Sequence, residues 1–156
     1  MGGVGRWILF GHLAAALWLA SGSFAGAVVR AQTRRAASLS EKVFGLRLAW
    51  RLMAAFVVPG ALAAGLTGIE LARRSYGFRP FWVHGSLALY ALMLALTLFY
   101  LAPRVKRTLA AGLASLAAGA PTPELQALAG AKLPAILADL NALGILVLTL
   151  LMALKP

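Results

Sequence analysis

The sequence predicts an all-α integral membrane protein, a bundle of four helices that run up, down, up and down. Hydrophobic residues make up 62% of the 156 residues, and charged residues make up only 12%. The mean hydropathy is +0.85. Even a well-folded soluble domain leaves much of its surface in water, so a chain this apolar needs lipid as its solvent. Four apolar stretches are each long enough to cross a hydrocarbon core of about 30 Å as a helix.

The four predicted membrane helices belong to a single transmembrane domain that covers residues 1–156. They span residues 7–29, 52–71, 81–102 and 136–154. The first is longer than the apolar run of a signal peptide, so we expect it to be retained. Residues 105–134 form an interfacial segment on the cytoplasmic side. Within it, Thr122, Pro123 and Glu124 have the order that begins a short helix, which ends near Gly130.

The basic residues predict the orientation in a prokaryotic-type inner membrane, because loops rich in Lys and Arg stay in the cytoplasm. Ten basic residues flank one side of the predicted bundle: Arg30, Arg34, Arg35, Lys42, Arg47, Arg51, Arg104, Lys106, Arg107 and Lys132. Five flank the other side: Arg6, Arg73, Arg74, Arg79 and Lys155. Both termini are therefore expected outside. Anionic membrane lipids are the partners that account for the net charge of +11.

The composition excludes several functions. The chain has no cysteine, which rules out disulfides, thiolate metal sites and covalently attached haem. No basic stripe lies on a soluble domain, so nucleic acid is not expected as a partner. No phosphate-binding loop, zinc-protease helix or Ser-His-Asp set is present. Small residues recur every fourth position at Gly22 and Gly26, and at Gly60, Ala64 and Gly68. This spacing serves either packing within the chain or a homodimer seam.

The two histidines are the residues best suited to carry chemistry. His12 lies five residues after Trp7, and His84 lies three residues after Phe81. Both are thus expected roughly 5 to 8 Å below the outer membrane boundary. Helices 1 and 3 are diagonal in such a bundle, with axes roughly 12 to 14 Å apart. The two imidazoles could therefore bind opposite faces of one porphyrin iron, as axial ligands of haem b.

Four arginines lie near the same end of the predicted bundle: Arg6, Arg73, Arg74 and Arg79. A haem carries two propionates that need partners in apolar surroundings, and the fork of a guanidinium group suits a carboxylate. We expect these arginines to bind the propionates, with lipid headgroup contact as the simpler alternative. Glu70 could orient an imidazole, but pairing with the arginines that follow it is favoured.

Two short segments around the histidines carry a family resemblance. Trp7 precedes His12, and Trp18 with small residues up to Gly22 follows it. Residues 81–87 read Phe-Trp-Val-His-Gly-Ser-Leu, which is similar to a Trp-x-His-x-Lys-Leu segment. Across helices 1 to 3 the chain resembles a superfamily of small bacterial membrane proteins. That superfamily includes the haem-containing protoporphyrinogen oxidases, the copper-resistance D domain and related predicted integral membrane proteins.

The resemblance implies that His12 and His84 match the haem-ligand histidines of that superfamily. Two departures separate the chain from the oxidase. Ser86 stands where the oxidase has a lysine, and the spacing from His12 to Trp18 is one residue shorter than usual. We therefore predict a bis-histidine haem-b cytochrome that exchanges electrons with an unidentified redox partner.

Three alternatives are also compatible with the sequence. The first is an oxidoreductase that converts protoporphyrinogen IX to protoporphyrin IX with haem as electron acceptor. The second is copper handling by His12, His84 and Met152, since imidazole and thioether groups bind Cu(I). The third is a cofactor-free partner or assembly protein that uses the small-residue helix faces as its interaction surface.

Reporter fusions test the predicted orientation. Fusions after Arg35 and after Ala120 should report a cytoplasmic position, and a fusion after Gly77 should report an external one, because of the ten-to-five asymmetry in basic residues. A cytoplasmic signal from the Gly77 fusion would invert the orientation and place both histidines in the inner half of the membrane.

Overall fold

The computed structural model describes residues 3–154, and all regular structure in that range is helical. The α-helices are α1 (Gly3–Arg35), α2 (Leu39–Leu52), α3 (Val58–Leu71), α4 (Phe81–Ala95), α5 (Ala102–Ala117), α6 (Pro123–Gly130) and α7 (Leu133–Leu154). Three π-helical segments adjoin them: Met53–Val57, Ala72–Tyr76 and Leu96–Leu101. Four continuous stretches are long and apolar enough to cross a membrane: Val4–Arg35, Leu39–Ser75, Phe81–Ala117 and Leu133–Leu154. The predicted all-α membrane fold is confirmed.

The four long stretches pack as an antiparallel bundle. Helix α1 lies along α3 and also contacts α2 and α7, while α2 packs on α5 and α4 packs on α7. Close approaches between α1 and α4 are few among the described residues, so these two helices stand diagonally, as an up-down-up-down order requires. All four stretches contribute to one central core of Leu19, Val57, Ala61, Met93, Ile145 and Leu148. Many other large apolar side chains are exposed, as expected of a surface that faces lipid.

The helices extend beyond the bounds that hydropathy predicts. The second membrane stretch begins at Leu39 rather than at residue 52, and the third continues to Ala117. Hydropathy marks only the part of a helix that lies in hydrocarbon, whereas the backbone hydrogen bonds continue into the charged interface. A capping box begins α2: Ser38 Oγ accepts from the Glu41 N–H at 3.2 Å, and the Glu41 carboxylate accepts from the Ser38 N–H at 3.5 Å.

The short helix α6 forms as the sequence predicts. Its N-cap is Thr122, whose hydroxyl accepts from the Leu125 N–H, and it ends at Gly130. Leu125 and Leu128 pack on Ala111 of α5 and form a second, smaller apolar cluster. Helix α6 is thereby held against the end of the bundle that carries most of the basic residues, which we call the basic end. The opposite end, which carries His12 and His84, we call the histidine end.

Two prolines explain the positions of two of the π-helical segments, in which the turns are wider than in an α-helix. A proline has no N–H, and its ring clashes with the carbonyl group four residues earlier. A π-helical segment lies just before each of them. The N–H of Val58, before Pro59, bonds to the Met53 carbonyl. The N–H of Ala102, before Pro103, bonds to the Thr97 carbonyl. Each proline is thus accommodated by a wider turn within a continuous helix.

Small residues let α1 and α3 approach closely. A Cβ atom added to Gly60 would lie 2.7 Å from the backbone nitrogen of Leu19, and one added to Gly22 would lie 2.5 Å from Cβ of Phe56. Real Cβ atoms do not come this near, so both glycines are needed for the present spacing. The small-residue pattern therefore serves packing within the chain. The homodimer seam stays a prediction.

Replacing Gly60 with alanine tests this close approach. Gly60→Ala should separate α1 from α3 and lower stability by about 1 to 3 kcal/mol, the usual cost of overpacking. Thermal unfolding of the purified protein in one detergent measures the effect. Gly85→Ala is the matched control, because a Cβ there meets no atom within 4 Å. Equal behaviour of the two variants would contradict the packing described here.

Candidate functional site

His12 lies in the seam between α1 and α3, with only 7% of its surface exposed. Its Nδ1 is 3.0 Å from the carbonyl oxygen of Ala64 and 3.2 Å from Oγ1 of Thr67. A carbonyl oxygen can only accept, so Nδ1 carries the proton. In the neutral ring Nε2 then holds a free lone pair. Gly68 provides the space, since a Cβ there would lie 2.9 Å from Cε1 of His12.

His84 lies on an exposed face of α4. Its Nδ1 is 3.3 Å from the Pro80 carbonyl oxygen, one turn earlier in the chain, so this ring also holds its lone pair on Nε2 when neutral. Ala88 and Ala91 follow on the same face and are likewise exposed. This face of α4 therefore points away from the helix bundle. The structure gives the two imidazoles the same hydrogen-bonding pattern, but it does not bring His84 into the seam that holds His12.

Two of the four predicted propionate-binding arginines are bound to Glu70. Arg73 forms a two-point fork with this carboxylate, with Nε to Oε2 and Nη2 to Oε1 both at 2.9 Å. Arg74 bonds to Oε1 of the same carboxylate. The pairing of Glu70 with the arginines that follow it is thus confirmed. Arg6 and Arg79 are exposed, and neither forms an ion pair with another residue in the range 3–154.

Lys155, the remaining basic residue predicted at the histidine end, lies outside the described residues.

Two further polar side chains lie on α4: Ser86 near the histidine end, and Tyr90, which packs against the central core. The Tyr90 hydroxyl donates to the Ala61 carbonyl at 2.7 Å and packs against Gly65, so it joins α4 to α3. Ser86 is buried, and its hydroxyl finds no partner among the described residues. Sequence patterns assign these residues no role beyond packing, because nothing local shows which face of an apolar helix points inward.

The side chains that could bind a metal ion near the histidines are few among the described residues. Among residues 3–154, no group of three or more His, Asp or Glu side chains comes together around a metal position. Two imidazoles alone are too few to enclose a bare metal ion of the usual coordination number. A porphyrin supplies four equatorial nitrogens and needs only axial ligands from the protein, but in this structure the two imidazoles lie apart: His12 is buried between α1 and α3, and His84 is on the exposed face of α4.

Fold and site together define a multi-pass α-helical membrane protein with two histidines toward one end of its bundle. The family model described as "Predicted integral membrane protein (DUF2269)" matches residues 6–156, and the chain belongs to this family. No curated protein and no solved structure matches the chain. The predicted multi-pass membrane location is thereby confirmed.

A double-mutant cycle tests the position of His12. Gly68→Ala should push the imidazole off the Ala64 carbonyl and destabilise the protein by about 1 to 3 kcal/mol. The same change in a His12→Ala background should cost much less, because the clashing ring is gone. Thermal or denaturant unfolding in detergent gives both values. Additive effects of the two changes would show that His12 does not lie against Gly68.

Proposed function

We propose that this chain is a haem-b-binding protein of the inner membrane that transfers electrons, with Nε2 of His12 and Nε2 of His84 as the iron ligands. One observation carries the proposal. Each imidazole directs Nδ1 to a backbone carbonyl oxygen, at 3.0 Å from Ala64 and 3.3 Å from Pro80. Metal-binding histidines almost always make this second bond, because it fixes the tautomer and orients the ring.

The two histidines contribute differently. His12 is held in place by Ala64 and Thr67, so its orientation is set before any ligand binds. His84 is exposed on α4, so a porphyrin in the membrane can reach this ligand directly, whereas His12 is buried between α1 and α3. Binding of one iron by both histidines requires the exposed face of α4 to turn toward α1. The link before α4 contains Gly77 in the left-handed conformation, at φ 69°, a position where the chain can change direction.

The four arginines form two groups, which differ in whether a carboxylate of the chain already binds them. Arg6 and Arg79 have no carboxylate partner within the described chain, so they are open to haem propionates. Arg73 and Arg74 hold Glu70 instead and would bind a propionate only by giving up that carboxylate. When bound, haem supplies a one-electron redox couple whose potential depends on its axial ligands and on burial. The superfamily resemblance supports the same assignment.

Optical spectra of the purified protein test the proposal. After expression with sufficient haem, the protein should show a Soret band and the spectrum of six-coordinate, low-spin iron. His84→Ala changes an exposed residue, so it should leave the fold intact while making the iron high-spin or abolishing haem retention. His12→Ala should have the same spectral effect.

Thr67→Val is the matched control for loss of packing at His12. It removes one partner of Nδ1 but keeps the ligand and the Ala64 carbonyl, so low-spin haem should remain, with retention lowered by about tenfold. Unchanged low-spin spectra in both histidine variants would refute the ligand assignment, since no other imidazole exists in the chain. A colourless protein that binds copper would support the copper alternative, and one that binds neither would support an assembly role.

A further inference from the structure

A cavity of about 450 Å³ lies at the basic end of the bundle, remote from the histidines. Its walls come from all four membrane stretches and from α6. The volume falls in the range of roughly 300 to 1,000 Å³ that is typical of small-molecule sites. Four basic side chains line it: Arg30, Arg34, Lys42 and Arg104. No Asp or Glu of the described chain lines it.

The chain neutralises these cations only in part. Arg30 forms an ion pair with Asp139. Within residues 3–154, Arg34 and Lys42 have no ion pair. Arg104 makes one long hydrogen bond, with Nη2 3.4 Å from the Leu128 carbonyl oxygen, and its Nε is buried without a partner in the described structure. A buried donor without an acceptor is costly. An anion from outside the chain would supply the acceptor that Arg104 lacks.

The remaining wall indicates what kind of anion fits. It is mostly apolar, with Leu46, Met53 and Leu101 among its residues. No aromatic side chain lines the cavity to stack on a nucleotide base, and no histidine lines it to bind a metal, in the part of the chain that the structure describes. A ligand with a negatively charged head and an apolar tail matches both parts of the wall.

We infer that this cavity binds an anionic phospholipid. The phosphate group lies among Arg34, Lys42 and Arg104, and an acyl chain lies against the apolar wall. Basic pockets between membrane helices bind anionic headgroups through this combination of charge and apolar contact. Helix α6 closes part of the cavity through Leu125 and Leu128. The inference is independent of haem binding, because the two sites lie at opposite ends of the bundle.

Native mass spectrometry of the detergent-purified full chain tests the inference, with phosphatidylglycerol and phosphatidylcholine as probes. Phosphatidylglycerol should bind more tightly than phosphatidylcholine. Its affinity should fall about fivefold for each cation removed, so the double variant Arg34→Gln/Lys42→Gln should lose about 25-fold. These residues lie at the rim of the fold and not in its apolar core. The matched control is Arg47→Gln/Arg51→Gln, which removes two exposed cations of the same helical region that do not line the cavity.

Each outcome of this experiment either supports or overturns the phospholipid site. Selective binding of phosphatidylglycerol that is lost only in the cavity variant supports the site. Equal binding of the two lipids, or equal losses in both double variants, would show only general attraction to the basic surface and would overturn it. Displacement of phosphatidylglycerol by millimolar inorganic phosphate would show that a free anion, rather than a lipid, occupies the cationic cluster, and would also overturn it.

Discussion

The close contact between α1 and α3 is the constraint on which the histidine end depends. Lipid provides no hydrophobic force that would drive two helices together, so they must gain from van der Waals contact and hydrogen bonds. Glycines at positions 22, 60 and 68 let the backbones and the His12 ring come within contact distance. The same closeness brings Nδ1 of His12 to the Ala64 carbonyl. The close packing of α1 on α3 therefore also fixes which nitrogen of His12 carries the proton.

Polar groups inside the membrane are satisfied mostly by backbone or by one another, because unsatisfied groups are costly there. Tyr90 donates to the Ala61 carbonyl, and Thr97 donates to the Met93 carbonyl and accepts from Asn141. Three buried polar atoms of the described residues have no hydrogen-bond partner, namely Ser86 Oγ, Asn141 Oδ1 and Arg104 Nε, and only the last, at the basic end, belongs to a charged group. The two ends therefore have different chemistry: two imidazoles with free Nε2 atoms at one, and partly unpaired cations at the other.

Much of the fold could be predicted from sequence because membrane insertion depends on apolar length, which composition reveals directly. The helix at Thr122 and the pairing of Glu70 follow from local spacing, and both are confirmed. The direction of His84 could not be predicted in this way. Helix α4 is apolar on almost every face, so no periodicity shows which side packs inward. The basic cavity is also hidden, because its walls come from segments far apart in the chain.

The central claim is that Nδ1 of His12 donates its proton to the Ala64 carbonyl oxygen, which leaves the lone pair of the neutral ring on Nε2. Solid-state NMR of ¹⁵N-histidine-labelled, haem-free protein in bilayers measures this directly, with His84→Ala used to isolate the His12 signals. We expect a protonated Nδ1 that correlates with the Ala64 carbonyl, and a non-protonated Nε2. A protonated Nε2 with a bare Nδ1 would contradict this claim, because the hydrogen bond in the seam and the ligand atom would then both be lost.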